Sequence, residues 1–236
     1  MSGPAEAATS AILTARHVVL SGLSSRFEVL YRGQALGECR LQVPGRHNVQ
    51  NALAAVLVGL DLEIPFTVIQ AALARFSGVQ RRFQIKGEAG GVLVVDDYGH
   101  HPAEIRATLA AAKAGFDRRV VTVFQPHRYT RTLHLRQEFL TAFYQADVLA
   151  VMDIYPAGEA PIAGVHARDL AEGIAAHGHR EVIYLDNDRQ RILDFLCDTV
   201  RPGDLVLTLG AGDVGSLSDP LLARLSARGV PSKRRA

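Results

Sequence analysis

The densest group of chemically reactive side chains follows a run of four aliphatic residues, 92–95. The group consists of Asp96, Asp97, Tyr98, Gly99, His100 and His101. Asp97 could accept a hydrogen bond from a ribose hydroxyl or help to hold Mg²⁺, because carboxylate oxygens suit both partners. Adjacent histidines rarely complete a metal site, and no third ligand stands at a suitable spacing, so we predict no structural zinc here. We predict that this segment is part of a ligand site.

Two arginine pairs could supply cations to such a site. Arg82, next to Arg81, could clamp a γ-phosphate with both arms of its guanidinium group. Taken alone, however, an Arg pair is better explained as part of a solvated linker. Arg128 and Arg131 are three residues apart and would share one face of a helix, where they suit a carboxylate or a phosphate. An ordinary surface charge pair is an equally good explanation of these two residues.

A third polar group, His47, Asn48 and Asn51, stands at the predicted start of a helix. Asn amides can pair with the edge of an adenine, and a helix N-terminus attracts phosphate. Helix capping by Asn48 is the simpler alternative. The glycine-rich run 210–215 resembles a dinucleotide-binding loop, but no βαβ unit follows it, so that indication is weak.

Alternating strands and helices are predicted from Phe83 onward, which is typical of right-handed βαβ crossovers and a mainly parallel sheet. The predicted strands are 92–96, 119–124, 147–152, 181–185 and 204–209. The predicted helices are 102–114, 133–145, 167–176, 187–200 and 219–228. Pro102 suits the first turn of its helix, with Glu104 placed to complement the helix dipole. This arrangement places the residues that follow each strand at the carboxyl edge of the sheet, where open α/β folds bind ligands.

The region before Phe83 has a different pattern. Alternating residues between Ala15 and Val43 predict an antiparallel meander with one buried face. Apolar residues at helical spacing then predict a helix over 49–60, and Thr67 and Gln70 have the spacing of a capping box that opens a second helix through Phe76. We therefore place a domain boundary near residues 79–83 and predict two domains, 1–80 and 81–236.

Composition restricts the class of protein. The 236 residues carry a formal net charge of +2, which gives no electrostatic argument for a nucleic-acid partner. No run approaches the length of a membrane span, and the first residues lack the features of a signal peptide, so we expect no membrane partner. Two cysteines give no disulfide framework and no metal-binding spacing. A cytoplasmic protein is the expectation.

Four motifs stand in the order found in Mur ligases, which they resemble. They are 44–52 (Pro-Gly-Arg-His-Asn-Val-Gln-Asn-Ala), 81–83 (Arg-Arg-Phe), 96–102 (Asp-Asp-Tyr-Gly-His-His-Pro) and 124–131 (Phe-Gln-Pro-His-Arg-Tyr-Thr-Arg). The resemblance extends from about Ala15 to about Arg228. The last two motifs are similar to those of the members that join L-alanine to UDP-N-acetylmuramate in peptidoglycan synthesis.

The resemblance implies a reaction and roles for individual residues. ATP would phosphorylate the muramate carboxylate, and the amine of L-alanine would attack the acyl phosphate to form an amide. His47, Asn48 and Asn51 would lie at the adenine, with Arg82 at the γ-phosphate. Within the second domain, Asp97 would contact the nucleotide, Tyr98 and His100 would line the cleft, and Arg128 and Arg131 would bind the acidic substrate or the amino-acid carboxylate. Arg82, Asp97 and His100 are thus the candidate catalytic residues.

One feature of the family is absent from the sequence. Mur ligases carry a Gly-Lys-Thr phosphate loop, whereas no Lys here is followed by Ser or Thr. The resemblance therefore implies the last part of the central ATPase domain followed by the whole Rossmann-like C-terminal domain. The Mg²⁺ ligands and the UDP pocket would belong to an upstream part, which a separate chain could supply. We expect negligible ligase activity from this chain alone, and exposed apolar surface on the meander and the helix 49–60.

Two alternatives remain open at this stage. One is a murein peptide ligase of the same superfamily, which recycles a tripeptide, although the sequence motifs around Tyr98 and His127 favour the alanine-adding members. The other is a binding module without catalytic activity that retains affinity for a nucleotide.

Overall fold

The computed structural model describes residues 11–228. These residues form two compact units, one ending at Ser77 and the other beginning at Gly78. Residues 1–10 and 229–236, which the predicted domains also include, lie outside the described range. No helix between residues 11 and 228 is long and apolar enough to cross a membrane.

The first unit is an antiparallel meander covered by two helices. Its strands are β1 (Leu13–Ser21), β2 (Ser24–Tyr31) and β3 (Gln34–Leu41), and its helices are α1 (Arg46–Asp61) and α2 (Phe66–Arg75). Phe27 and Cys39 face each other across β2 and β3 and are fully buried, with Val56 of α1 in the same core. The predicted meander with one buried face is confirmed.

The helix starts of this unit differ from the predictions. The N-cap of α1 is Gly45, and Asn48 lies inside the first turn, so Asn48 does not cap the helix. The predicted capping box at Thr67 is wrong, because α2 begins at Phe66 behind Pro65 and has no side-chain cap. Pro65 is the N-cap residue of α2, and its fixed φ is compatible with the start of a helix.

The second unit is a six-stranded sheet in the order β4-β5-β9-β6-β7-β8, mainly parallel as predicted. The strands are β4 (Gln84–Ala89), β5 (Val92–Asp97), β6 (Arg119–Phe124), β7 (Val148–Val151), β8 (Val182–Tyr184) and β9 (Asp204–Leu209). The helices are α3 (Pro102–Gly115), α4 (Tyr129–His134), α5 (Arg136–Phe139), α6 (Ala167–Ala176), α7 (Arg189–Thr199) and α8 (Ser218–Arg228), with a 3₁₀ turn at Val214–Leu217. Both faces of the sheet are covered.

The alternation of side chains along β5 explains the two cores. Leu93 and Val95 join the cluster that contains Ile105 of α3, whereas Val92 and Val94 join the cluster that contains Ile192 of α7. A parallel sheet buried on both faces needs strands that are apolar throughout, and β5 is buried at every position.

Two elements of this unit differ from the predictions: one predicted helix is wrong, and one strand was not predicted. The helix expected over 133–145 is broken into α4, α5 and a series of turns, and Phe139 and Phe143 of this stretch are buried against Phe124. Tertiary packing here overrides local helix propensity. Strand β4 was not predicted, yet it pairs antiparallel with β5 through a turn at Gly90 and Gly91, a dipeptide typical of hairpins.

Candidate functional site

Three adjacent strands end at the same level of the sheet. Asp97 of β5, Leu209 of β9 and Phe124 of β6 are in register across the three strands. The segments that follow them, beginning at Tyr98, Gly210 and Gln125, therefore emerge side by side at the carboxyl edge, where open α/β sheets bind ligands. The sequence groups around residues 96–102 and 125–132 meet at this edge, as predicted from the order of elements.

Asp97 holds the turn after β5 from within. Its carboxylate accepts hydrogen bonds from the backbone N–H groups of Phe83 (2.7 Å) and Gly99 (2.7 Å) and from the Thr108 hydroxyl (3.2 Å). The residue is 5% exposed, and its burial raises the pKa of the carboxyl group despite these bonds. Because its oxygens are occupied by protein donors, Asp97 acts on the site by fixing the backbone on both sides of it.

Asp96 and Arg81 connect the start of the unit to the same edge. Arg81 Nη2 donates to the carbonyl of Gly210 (2.6 Å), and its Nε lies 3.3 Å from the Asp96 carboxylate. The Thr208 hydroxyl donates to the other Asp96 oxygen (2.7 Å). Arg81 also lies 4.9 Å from the centre of the Tyr98 ring and adopts a positive φ of 57°. Strained backbone of this kind is concentrated at functional sites.

The side chain of Arg82 extends further into solvent than that of Arg81. Its side chain is 53% exposed and lies 3.8 Å from Glu104, with its guanidinium group 5.6 Å from the centre of the Tyr98 ring. The Glu104 carboxylate accepts from the backbone N–H groups of His100 (3.0 Å) and His101 (3.1 Å), forming the capping box of α3. The predicted first-turn roles of Pro102 and Glu104 are confirmed. Arg82 remains available to an anionic ligand in solvent.

Two imidazoles lie next to each other at this edge. The rings of His100 and His127 are 5.6 Å apart, and the Tyr98 ring meets His100 edge-on at 5.3 Å. On its other side His127 stacks on Tyr155 with an interplanar angle of 10°. Arg131 Nη1 donates to His127 Nδ1 (3.1 Å) and to its carbonyl (3.2 Å). Burial and the neighbouring charges of His100, Arg131 and Arg128 lower the pKa of His127.

The backbone around His127 is fixed by the segment that follows β7. The N–H of Arg128 donates to the carbonyl of Tyr155 (2.8 Å), and Arg128 has a positive φ of 73°. Thr130 donates through its N–H (3.0 Å) and its hydroxyl (2.6 Å) to Glu159, and the hydroxyl bond is the main reason why the pKa of that carboxyl is lowered. The side chain of Arg128 is exposed, whereas Arg131 is half-buried against His127. The two arginines thus differ in availability, a difference that their spacing did not predict.

Gln125 ties the end of β6 to the loop after β9. The residue is 1% exposed. Its Oε1 accepts from the N–H groups of Asp213 (2.9 Å) and Val214 (3.2 Å), while its Nε2 donates to the Asp213 carboxylate (2.7 Å). A Cβ atom on Gly212 would lie 2.7 Å from Cγ of Tyr155, so this loop can approach only as glycine. The run 210–215 is therefore a packed wall of the site.

Gln125, His127 and Tyr155 take part in the site, although the sequence alone predicted no role for them. Gln125 and His127 lie inside the motif 124–131, so their position was known but their contacts were not. Tyr155 joins the site through an isolated bridge with His127 across a long stretch of chain, and no local pattern encodes that contact.

The polar residues of the first unit lie on the first two turns of α1. Asn48 donates from its side chain to the carbonyl of Pro44 (2.7 Å), and Asn51 donates to the side-chain oxygen of Asn48 (3.5 Å). His47 and Asn48 are half-buried and Asn51 is exposed. The predicted adenine-binding residues thus form one local cluster within their own unit.

No group of three or more His, Cys, Asp or Glu residues between positions 11 and 228 is arranged to hold a metal ion. The carboxylates of Asp96 and Asp97 already pair with protein donors, so they do not fit a Mg²⁺ ion in this arrangement.

Comparison with known proteins agrees with this architecture. The family model described as Mur ligase, glutamate ligase domain, matches residues 81–212. The UDP-N-acetylmuramate–L-alanine ligase of Geobacter sulfurreducens is 53% identical over 218 residues, which are 92% of this chain and 47% of that protein. The ligase of the same name from Syntrophotalea carbinolica is 55% identical over 220 residues, 93% of this chain and 48% of that protein. The chain thus spans about half the length of these curated relatives.

Solved structures show the same fold. The UDP-N-acetylmuramate–alanine ligase of Thermotoga maritima matches with a TM-score of 0.78 and 27% identity, over 93% of this chain and 47% of that one. The MurF ligase of Thermotoga maritima in complex with ADP matches with a TM-score of 0.69 and 19% identity, over 94% and 48% of the two chains. With the family model covering more than half of its residues, the chain belongs to the Mur ligase family.

Proposed function

We propose that this chain carries the carboxy-terminal half of the active site of a ligase that joins L-alanine to UDP-N-acetylmuramate at the expense of ATP. The observation that carries the proposal is a row of cationic and imidazole side chains at the sheet edge, namely Arg82, His100, His127 and Arg131, in which the Tyr98 ring lies between Arg82 and His100. Relatives that are 53% and 55% identical bear the name of this activity.

The residue types suit the proposed chemistry. Transfer of the γ-phosphate to the muramate carboxylate gives an acyl phosphate, and attack by the amine gives a tetrahedral intermediate. Both carry negative charge that guanidinium and N–H donors stabilise when they are positioned in advance. We assign Arg82 to the γ-phosphate and Arg128, whose side chain is exposed, to the substrate carboxylate. Arg131 acts beside it through His127.

The remaining assignments follow the same proposal. His47, Asn48 and Asn51 bind the adenine from the first unit, and Tyr98 and His100 line the cleft. Asp97, for which the family resemblance implies a nucleotide contact, is better assigned to positioning Phe83 and Gly99, because its carboxylate accepts hydrogen bonds from their N–H groups. We propose that Mg²⁺ and the UDP group are held by the part of the enzyme that the longer relatives have and this chain does not span.

A chimera tests the proposal most sharply. Residues 13–228 replace the matching region of the Geobacter sulfurreducens ligase, and phosphate release is measured with ATP, UDP-N-acetylmuramate and L-alanine. We expect L-alanine-dependent turnover by the chimera and negligible turnover by the 236-residue chain alone. Phosphate release that depends on the tripeptide and not on L-alanine would instead favour a murein peptide ligase. Nucleotide binding without turnover by the chimera would favour a binding module.

A further inference from the structure

His100 and His127, whose rings are neighbours in the site, make hydrogen bonds through Nδ1 to partners of opposite kinds. The partner of His100 is an acceptor and the partner of His127 is a donor. His100 Nδ1 lies 2.9 Å from the carbonyl oxygen of Tyr98, which can only accept. His127 Nδ1 lies 3.1 Å from the guanidinium of Arg131, which can only donate. Each partner therefore decides which nitrogen of its neutral ring carries the proton.

We infer that His100 and His127 are held in opposite tautomers, so that His100 offers Nε2 as a proton acceptor and His127 offers Nε2–H as a hydrogen-bond donor. In His100 the proton lies on Nδ1, with the Glu104 carboxylate 3.5 Å away to favour it. In His127 the proton is excluded from Nδ1 and lies on Nε2. Neither Nε2 makes a hydrogen bond to any residue between positions 11 and 228.

Burial and two neighbouring arginines lower the pKa of His127 and so favour its uncharged form. Arg128 and Arg131 present positive charge to it, and Glu159 presents a negative charge that opposes them. Burial acts in the same direction as the cations and is the largest cause of its lowered pKa. A neutral imidazole whose acceptor nitrogen is occupied can donate a hydrogen bond but cannot act as a base.

His100 and His127 have different roles in the proposed amide-forming step, and this part of the inference rests on the proposed function. The amine nitrogen forms the C–N bond, the C–O bond to phosphate breaks, and phosphate leaves with the electron pair. One amine proton passes to His100 Nε2. His127 Nε2–H donates to the oxygen that becomes negative in the tetrahedral intermediate, and no proton is transferred there.

Nitrogen NMR of the full chain tests the tautomers without any substrate. The ring-nitrogen shifts are recorded at about pH 8.5, about two pH units above the ordinary pKa of a histidine side chain. We expect protonated Nδ1 in His100 and protonated Nε2 in His127. The same tautomer in both rings, or the reverse assignment, would overturn the inference. Arg131→Leu should raise the pKa of His127 by about 0.5 or more, because a positive neighbour is removed. Arg106→Leu is the matched control: Arg106 binds Glu138 and Thr141, so the pKa of His127 should not move.

Kinetics of the chimera then test the roles. His127→Gln keeps an N–H donor and should retain activity within about tenfold, whereas His127→Ala should lose about a hundredfold. Equal losses in the two variants would contradict the donor role. His100→Gln should abolish the acidic limb of the pH–rate profile, and an unchanged limb would contradict the base role. An inactive parent chimera would refute the proposed function but leave the NMR result to decide the tautomers.

Discussion

At the scale of single residues, partners determine what each side chain can do. Arg81 and Arg82 are neighbours in sequence, yet Arg81 is bound to Gly210 and Asp96 while Arg82 extends towards solvent. Residue types and their order identified the motifs that meet at the sheet edge. The sequence could not distinguish an available arginine from an engaged one, because the distinction depends on contacts between distant segments of the chain.

His179 provides a prediction at this scale. It is 7% exposed, its Nε2 has no hydrogen-bond partner within the described part of the chain, and burial lowers its pKa from an ordinary value of 6.5. A lowered folded-state pKa means that the unfolded chain binds the proton more readily, so stability is lost as pH falls below about 6.5 towards the lowered value. We expect thermal unfolding temperatures to show a smaller decline from about pH 7.5 to about pH 5.5 in His179→Gln than in the parent. Equal declines would contradict this assignment.

At the scale of elements, the order of strands and helices was largely predictable because the alternation of apolar runs is strong. The meander, β5, β6, β9 and helix α3 follow from local patterns and capping residues. The break between α4 and α5 was not predictable, because the apolar spacing fitted one continuous helix and only the packing around Phe124 decides otherwise. The glycines of the loop after β9 are visible in the sequence, but the hydrogen bonds by which Gln125 holds this loop could not be predicted from it.

The hydrogen bonds of Gln125 connect the end of β6 to the loop after β9, and their removal should lower stability. Gln125→Leu keeps the size of the side chain but leaves the N–H groups of Asp213 and Val214 without their acceptor. The free energy of unfolding should fall by about 1–3 kcal/mol, the cost of one orphaned buried polar group, because the N–H group of Val214 is buried whereas that of Asp213 is partly exposed. Gln190→Leu is the matched control, because that side chain makes one exposed hydrogen bond to Asp194. Denaturant unfolding measures the free energy of unfolding of both variants. Equal losses would show that the hydrogen bonds of Gln125 to the loop after β9 do not contribute to stability.

At the scale of the whole molecule, apolar surface on the first unit requires explanation. Val58 of α1 is 59% exposed, and Leu62, the residue that follows the helix, is 65% exposed. A groove between β1 and α1 is lined by apolar side chains that include Leu13, Val18 and Leu53. Exposed apolar surface of this kind commonly marks an interaction site. The expectation made from the sequence for the helix 49–60 agrees with these exposures.

Self-association should follow from this surface. We expect Val58→Lys to reduce association of the chain, measured by sedimentation, without lowering its unfolding temperature, because the side chain is exposed in the fold. Leu133→Lys in the second unit changes an apolar residue that is 44% exposed and serves as the control. If both variants associate as strongly as the parent, the first unit does not drive the association.

The proposed function requires the sheet edge of the second unit to supply cations to a ligase site. The most direct measurement is L-alanine-dependent phosphate release by the chimera carrying Arg82→Gln, compared with the parent chimera and with Arg106→Gln. We expect a loss of about 10²–10³-fold in kcat/KM for Arg82→Gln, because a positioned donor to developing charge is removed, and no loss for Arg106→Gln. If the Arg82→Gln chimera is as active as its parent, the sheet edge does not supply a catalytic cation through Arg82.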